Sequence, residues 1–264
     1  MPEGRLLAIV SARPDGATTV AAALAALLSA SSRTLLCDLN LERPEIAPLL
    51  DLDDSKTVYQ LAYGAQLAPV TADELEGHVS WHEGTAILPG ASNPGEAALI
   101  SDHFLQSLLE TAAHRFEQVV LDLGRVRTGV PAALRDASLL WVVAPSRLGL
   151  AAFDRAWRRL AAEQATWPTA AGVVLNRVGP HSLGSVPAFL ERNYGIQILG
   201  ELPDVPSYCQ QVETTRSLQA LSVEIREQDR FTRAYGEEAA RFRAALQSLG
   251  QKLMSSPEVS RLNV

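Results

Sequence analysis

Lysine is nearly missing from this chain. Of its 23 basic residues only Lys56 and Lys252 are lysine, so no lysine lies near any candidate anion-binding loop in the N-terminal region. Cysteine is scarce too: Cys37 and Cys209 form no metal-ligand spacing, and two thiols in a cytoplasmic chain are expected to be reduced. No apolar run approaches the roughly twenty residues that a membrane-spanning helix needs, and the N-terminus enters a strand without a signal peptide's basic start. A cytoplasmic protein is expected. The net charge of −7 argues against a broad nucleic-acid surface, which would need clustered cations, though it leaves room for a local basic patch. The five histidines are scattered and no motif ties one to a serine or cysteine nucleophile. His78 and His82 have helical spacing but straddle Trp81 without the glutamate of a zinc motif, so chance accounts for them.

What is present is a chain of 264 residues with 47% hydrophobic content, enough for one large α/β domain. Its organising stretch runs from Leu6 to Leu28. Apolar residues at 6, 7, 9 and 10 predict a buried strand, Pro14 and Gly16 break it, and Leu24, Leu27 and Leu28 share one face of a following helix. A loop between strand and helix aims backbone N–H groups at whatever lies over the helix N-terminus, where the macrodipole also favours an anion. Phosphate is the natural guest. A working phosphate loop, Gly-x-x-x-x-Gly-Lys-Ser/Thr, supplies a lysine to the phosphates and a hydroxyl to magnesium. Here Gly16-Ala17-Thr18-Thr19 keeps the glycine and the hydroxyl but not the lysine; Arg13 is the loop's only cation, and Asp15 would face phosphate with like charge. The plain alternative is a strand-to-helix turn with Thr18 as a helix cap.

Further apolar strands are read at Arg33–Asn40, Thr85–Gly90, Phe116–Gly124, Ser138–Ala144, Gly172–Arg177 and Ile196–Gly200. Helical patterns fill 102–114, 153–165 and the region up to about Leu253; residues 51–80 are acidic and helical in pattern, with Val58, Leu61 and Leu75 as core contacts. Strands without polar alternation, each followed by a helical run, imply a parallel sheet covered on both faces, hence a three-layer α/β sandwich. Ligands of such sheets sit at the carboxyl ends of the strands, where Ala12, Asp38, Asp122 and Asn176 all fall.

Aligned on Gly16, the loop resembles the deviant phosphate loop of the MinD/ParA family, Lys-Gly-Gly-x-Gly-Lys-Thr-Thr, with Ala12, Arg13, Pro14, Asp15, Gly16, Ala17, Thr18 and Thr19 in those places. Both family lysines are alanine. The order of pieces is similar to that family over about residues 5–222, within a single domain spanning 1–264 whose C-terminal helical segment covers about 223–264. The resemblance implies a P-loop NTPase-like fold, a catalytic role for Asp38 in orienting the attacking water, and a metal site of Thr18 and the Walker B aspartate Asp122. A second acid often found two residues after the first is here Asn40. It further implies nucleotide contacts from the loop residues Arg13, Asp15, Gly16, Ala17, Thr18 and Thr19, from Asn176 with Arg177 at the strand whose Asn reads the base, and from Pro203 of Gly-Glu-Leu-Pro203 beside the base. Within the family the stretch from Ala98 to Gly124 looks most like CpaE/TadZ and septum-site-determining proteins.

The alanines bear on catalysis more than on fold. Losing one preorganised donor typically costs about 2.7–4 kcal/mol of transition-state stabilisation, and two cations are missing. The expected protein is a MinD/ParA-like spatial organiser or assembly adaptor of a pilus, secretion or septum machine, with weak or absent hydrolysis and protein partners. It is expected to be cytoplasmic, with recruitment to a pole, septum or membrane-associated complex left open. A slow ATPase cycling between monomer and nucleotide-sandwich homodimer is the first alternative, and a relative of the capsule-type tyrosine kinases, lacking a terminal tyrosine cluster, the second. ATP or ADP with magnesium and no cofactor at all stay equally open. Arg155, Arg158 and Arg159, around Trp157, read as a solvated face or an anion-binding surface. The final helix aligns Phe231, Tyr235, Phe242, Leu246, Leu249 and Leu253, a stripe for packing on the body or a partner, or for a membrane surface.

Overall fold

The computed structural model describes residues 4–53, 55–65, 68–91, 94–126, 131–162, 170–206, 209, 214–218, 220 and 230–255. The strands are β1 (Arg5–Ser11), β2 (Thr34–Asp38), β3 (Ser80–His82), β4 (Thr85–Leu88), β5 (Gln118–Arg125), β6 (Ser138–Val143), β7 (Ala170–Val178) and β8 (Ile198–Pro203). The helices are α1 (Ala17–Ser29), α2 (Ile46–Leu50), α3 (Val58–Ala65), α4 (Ala72–His78), α5 (Pro94–Ala97), α6 (Asp102–Arg115), α7 (Arg147–Ala162), α8 (Val186–Tyr194) and α9 (Arg230–Ser255). They build one eight-stranded sheet in the order β3-β4-β2-β5-β1-β6-β7-β8. Among the described residues every pairing is parallel except β3 with β4.

Period-2 alternation divides each central strand between two cores. In β1, Ala8 and Val10 face a core closed by α3, α4, α6, α7 and α8, whereas Leu7 and Ile9 face one closed by α1, α2 and α9. The three-layer sandwich expected from unbroken apolar strands is therefore the observed fold. α1 is buried on more than one face, ten of its residues lying in the interior, because α9 covers the side that the sheet does not. Its alanine richness follows: only small side chains let a helix fit between a sheet and another helix.

Within 51–80 the described residues hold the helices α3 and α4, as the pattern indicates, and Val58, Leu61 and Leu75 are all buried. A capping box fixes the start of α4, where the Thr71 hydroxyl accepts from the Glu74 N–H and the Glu74 carboxylate accepts from the Thr71 N–H. Three features depart from the sequence reading. β3 is a short antiparallel edge strand, α8 separates β7 from β8, and α7 begins at Arg147 rather than 153, where the Ser146 hydroxyl accepts from the Gly149 N–H at 3.0 Å. Trp157 of α7 packs inward with Trp141, Phe153 and Tyr194, while Arg158 pairs with Asp154 on the same helix.

On α9, Phe242, Leu246, Leu249 and Leu253 are buried against the body; the side chains of Phe231 and Tyr235 lie outside the described set. That part of the apolar stripe is covered by this chain's own α1 and β8, which replaces the membrane-facing alternative with intramolecular packing. Among the described residues no helix is long and apolar enough to cross a membrane.

Candidate functional site

β1 ends at Ser11, and the chain crosses Ala12 to Asp15 before α1 begins. Gly16 caps the helix in the left-handed region at φ 93°, and no side chain caps it; Thr18 is thereby free of the capping role that a plain turn would give it. A side chain at Gly16 would be strained and would also collide, since an added Cβ would lie 2.5 Å from Asn176 Nδ2. That amide donates to the Asp15 carbonyl at 2.8 Å, so the end of β7 holds the loop in place. Asn176 thus holds the loop through its side-chain amide.

Asp15 does not face the phosphate position as expected. Its carboxylate is buried at 3% exposure, accepts the Ala144 N–H beyond β6 at 3.3 Å, and lies 3.7 Å from Arg13 Nε. Burial lifts its pKa above the ordinary carboxylate range, opposed by the Ala144 N–H and by the charges of Arg13 and Arg177. The inward turn takes the Asp15 carboxylate off the cavity wall, and Arg13, paired with it, is not a cavity wall either.

Two acids stand side by side, Asp38 as the last residue of β2 and Asp122 within the C-terminal half of β5; they are register partners and both fully buried. Asp38 Oδ1 accepts from the Asn40 N–H, and Oδ2 from the N–H groups of Glu45 and Ile46, all at 3.0 Å. Its pKa is nonetheless raised, by burial first and by Asp122 second, with the three N–H bonds opposing. Asp122 Oδ1 accepts the Gly124 N–H at 2.9 Å, but Oδ2 is buried without a hydrogen-bond partner. The Thr18 hydroxyl lies near enough to pull the Asp122 pKa down without meeting the geometry of a hydrogen bond to Oδ2; burial dominates and pushes that pKa up to about 6.

An orphaned, buried carboxylate oxygen beside a hydroxyl fits a magnesium ion. Mg²⁺ keeps several waters and takes one or two protein oxygens plus ligand phosphates, rather than a cage of carboxylates. Thr18 and Asp122 are the residues that would hold it. Among the described residues no group of three His, Cys, Asp or Glu side chains could form a different metal centre.

Over the loop opens a cavity of about 270 Å³. Gly16, Ala17, Thr18 and Thr19 line it from the helix N-terminus, Asn40, Glu42, Arg43 and Glu45 from the loop after β2, and Arg125 and Arg177 from β5 and β7. Arg177 adopts φ 62°, a left-handed conformation uncommon outside glycine. Gly124, at φ 57°, leaves room for Asn40, whose amide would be 2.3 Å from an added Cβ. Of the residues that the sequence nominated, Gly16, Ala17, Thr18, Thr19 and Arg177 line this cavity. Arg13, Asp15, Asn176 and Pro203 are not among its described walls, Pro203 instead pairing with Val178 at the sheet edge. The sequence reading missed Arg43 and Arg125. Their only signal was position: each is a cation within a few residues of an acid that ends a buried strand.

A parallel sheet with a glycine-capped helix over its carboxyl edge, and paired aspartates beside it, defines a nucleotide-binding α/β domain of MinD/ParA type. The chain belongs to that family: residues 16–218 match the model described as CbiA, the CobQ/CobB/MinD/ParA nucleotide binding domain. The fold superposes on a ParA family ATPase from Chlorobium tepidum TLS with a TM-score of 0.75 at 17% identity, covering 92% of this chain and 98% of that one. It also superposes on the septum site-determining protein MinD complexed with Mg-ADP from Pyrococcus horikoshii OT3, with a TM-score of 0.68 at 18% identity over 97% and 98% of the two chains. In sequence it is 31% identical over 210 residues to the succinoglycan biosynthesis transport protein ExoP of Rhizobium meliloti (strain 1021). That match covers 71% of this chain and 24% of ExoP, so the chain spans about a quarter of the length of this curated relative.

Proposed function

We propose that this chain is an assembly or positioning adaptor built on a nucleotide-binding domain whose turnover is slow or absent. The observation that carries this reading is Asp38. The acid cast as the water-orienting group has both carboxylate oxygens engaged by three backbone N–H groups and no exposure to solvent. It acts as a positioning residue for the loop that leads into α2. The alanines at 12 and 17 leave the cradle without its two family lysines, and Arg13 is paired with Asp15. Stabilisation of the charge shift in phosphoryl transfer is correspondingly reduced. A magnesium ion held by Thr18 and Asp122 would neutralise phosphate charge when bound.

Among the processes in which such an adaptor works, the likeness to ExoP favours polysaccharide export over pilus or septum placement. Homodimer formation around nucleotide belongs to the alternative reading, a slow but genuine ATPase. Titrating Mg-ATP and Mg-ADP into the full chain while measuring phosphate release separates the two. Release close to the buffer blank, with Ala17→Lys strengthening binding about ten-fold but restoring little turnover, is the expected outcome. Brisk release that Thr18→Ala abolishes would overturn the adaptor reading.

A further inference from the structure

We infer that Arg125 and Arg177 supply the phosphate-binding charge that the loop lacks. This inference rests on the reading of the cavity as a nucleotide cradle and assigns the residues that make it work. Both arginines line the same 270 Å³ space as the N-terminal turn of α1.

The sheet holds each of them next to an anchor of the loop. Arg125 is the register partner of Ser11, the last residue of β1, and that corner is fastened on two sides: the Ser11 hydroxyl donates to the Gly124 carbonyl at 3.2 Å, and the Val126 N–H donates to the Ser11 carbonyl at 2.9 Å. Arg177 follows Asn176, whose side chain grips the Asp15 carbonyl. Two guanidinium groups are thus carried by parallel strands on either side of the loop, each strand end hydrogen-bonded to β1 or to the loop itself. Arg43 differs. It sits on the loop after β2, its side chain is 81% exposed, and it pairs with Glu45 at 3.0 Å, a solvated ion pair of little energetic weight.

Next to this cavity, behind Thr18, lies a candidate cation site. Asp122 Oδ2 is fully buried without a partner beside Thr18, which is itself a cavity wall. A simple anion would satisfy the arginines and leave this oxygen orphaned. A phosphate chain that brings a divalent cation satisfies both. Arginine suits the role because its planar fork meets two phosphate oxygens at once.

The test is calorimetric titration of the full chain with Mg-ADP, Mg-ATP and magnesium pyrophosphate. Arg177→Gly removes the guanidinium while placing at φ 62° the residue that tolerates it best, so folding is preserved or improved. Arg125→Lys keeps a charge and Arg125→Ala removes it. Arg177→Gly and Arg125→Ala should each weaken binding of all three probes at least ten-fold, and about a hundred-fold together, with Arg125→Lys intermediate. Arg155→Ala on the exposed face of α7 should leave affinity unchanged. Wild-type affinity in the arginine variants, or no binding of any probe to the wild type at millimolar concentration, overturns the inference. Rapid phosphate release combined with arginine-dependent binding would instead remove the slow-turnover reading and leave this assignment standing.

Discussion

Replacing Asp38 distinguishes a water-orienting acid from a structural one. In Asp38→Ala the N–H groups of Asn40, Glu45 and Ile46 lose their acceptor together. A stranded buried donor costs about 1–3 kcal/mol. Ile46 is fully buried and bears that cost in full, while Asn40 and Glu45 are half-buried and recover part of it from water. Removing an acid that faces Asp122 across β2 and β5 returns some stability. The net loss should be about 3–5 kcal/mol, a large share of the 5–15 kcal/mol typical of a domain. Asp38→Asn keeps one oxygen and presents an NH₂ where the second stood. Turned so that its oxygen faces Glu45 and Ile46, it leaves only the Asn40 N–H opposed by a donor, so it should cost about 1–3 kcal/mol. Urea unfolding measures both, and hydrogen exchange at the Ile46 amide should accelerate in Asp38→Ala more than in Asp38→Asn. Phosphate release per folded molecule should be unaltered in Asp38→Asn. The reasoning fails if Asp38→Ala unfolds within about 1 kcal/mol of wild type, or if Asp38→Asn lowers release while remaining fully folded.

Two further outcomes follow from the same site. Gly16→Ala forces a Cβ to within 2.5 Å of Asn176 Nδ2 at φ 93° and should lose about 1–3 kcal/mol; Asn176→Ala in the same chain relieves the collision but not the dihedral cost, so thermal melts should show less-than-additive losses, and full additivity counts against the contact. In metal-free protein the Asp122 pKa, raised from 3.8 to about 6, makes the folded state hold its proton more tightly than the unfolded chain does. That contribution is complete below about pH 4 and lost as the pH rises through about 6, an amplitude of about 3 kcal/mol. Unfolding free energies measured with EDTA from pH 4 to 7 should therefore diverge between wild type and Asp122→Asn over that range; a constant offset would contradict the buried, unpartnered oxygen.

Much of this architecture was legible in the chain itself. Unbroken apolar runs at β1, β2, β5, β6 and β7 declare strands buried on both faces, and a residue closing such a run lies at the sheet's carboxyl edge. Asp38, Asp122 and the stretch from Gly16 to Thr19 could therefore be brought to one place before any coordinates. β3 was not legible, being three residues whose pairing depends on β4 rather than on their own pattern. Nor was the earlier start of α7, set by the Ser146 cap in a stretch where apolar periodicity is weak.

Composition and periodicity determined the layers, the parallel sheet and the absence of lysine from the cradle, because burial pattern and charge are properties of the residues in order. Tertiary structure alone decided where the polar groups turn. Asp15 points inward because Ala144, 129 residues later, offers an N–H, and Asn176 grips the loop from 161 residues away. Such bonds join strand ends that the sheet brings together across long sequence separations. No local pattern in the sequence encodes which oxygen of Asp122 remains without a partner or which arginines line the cavity over the loop.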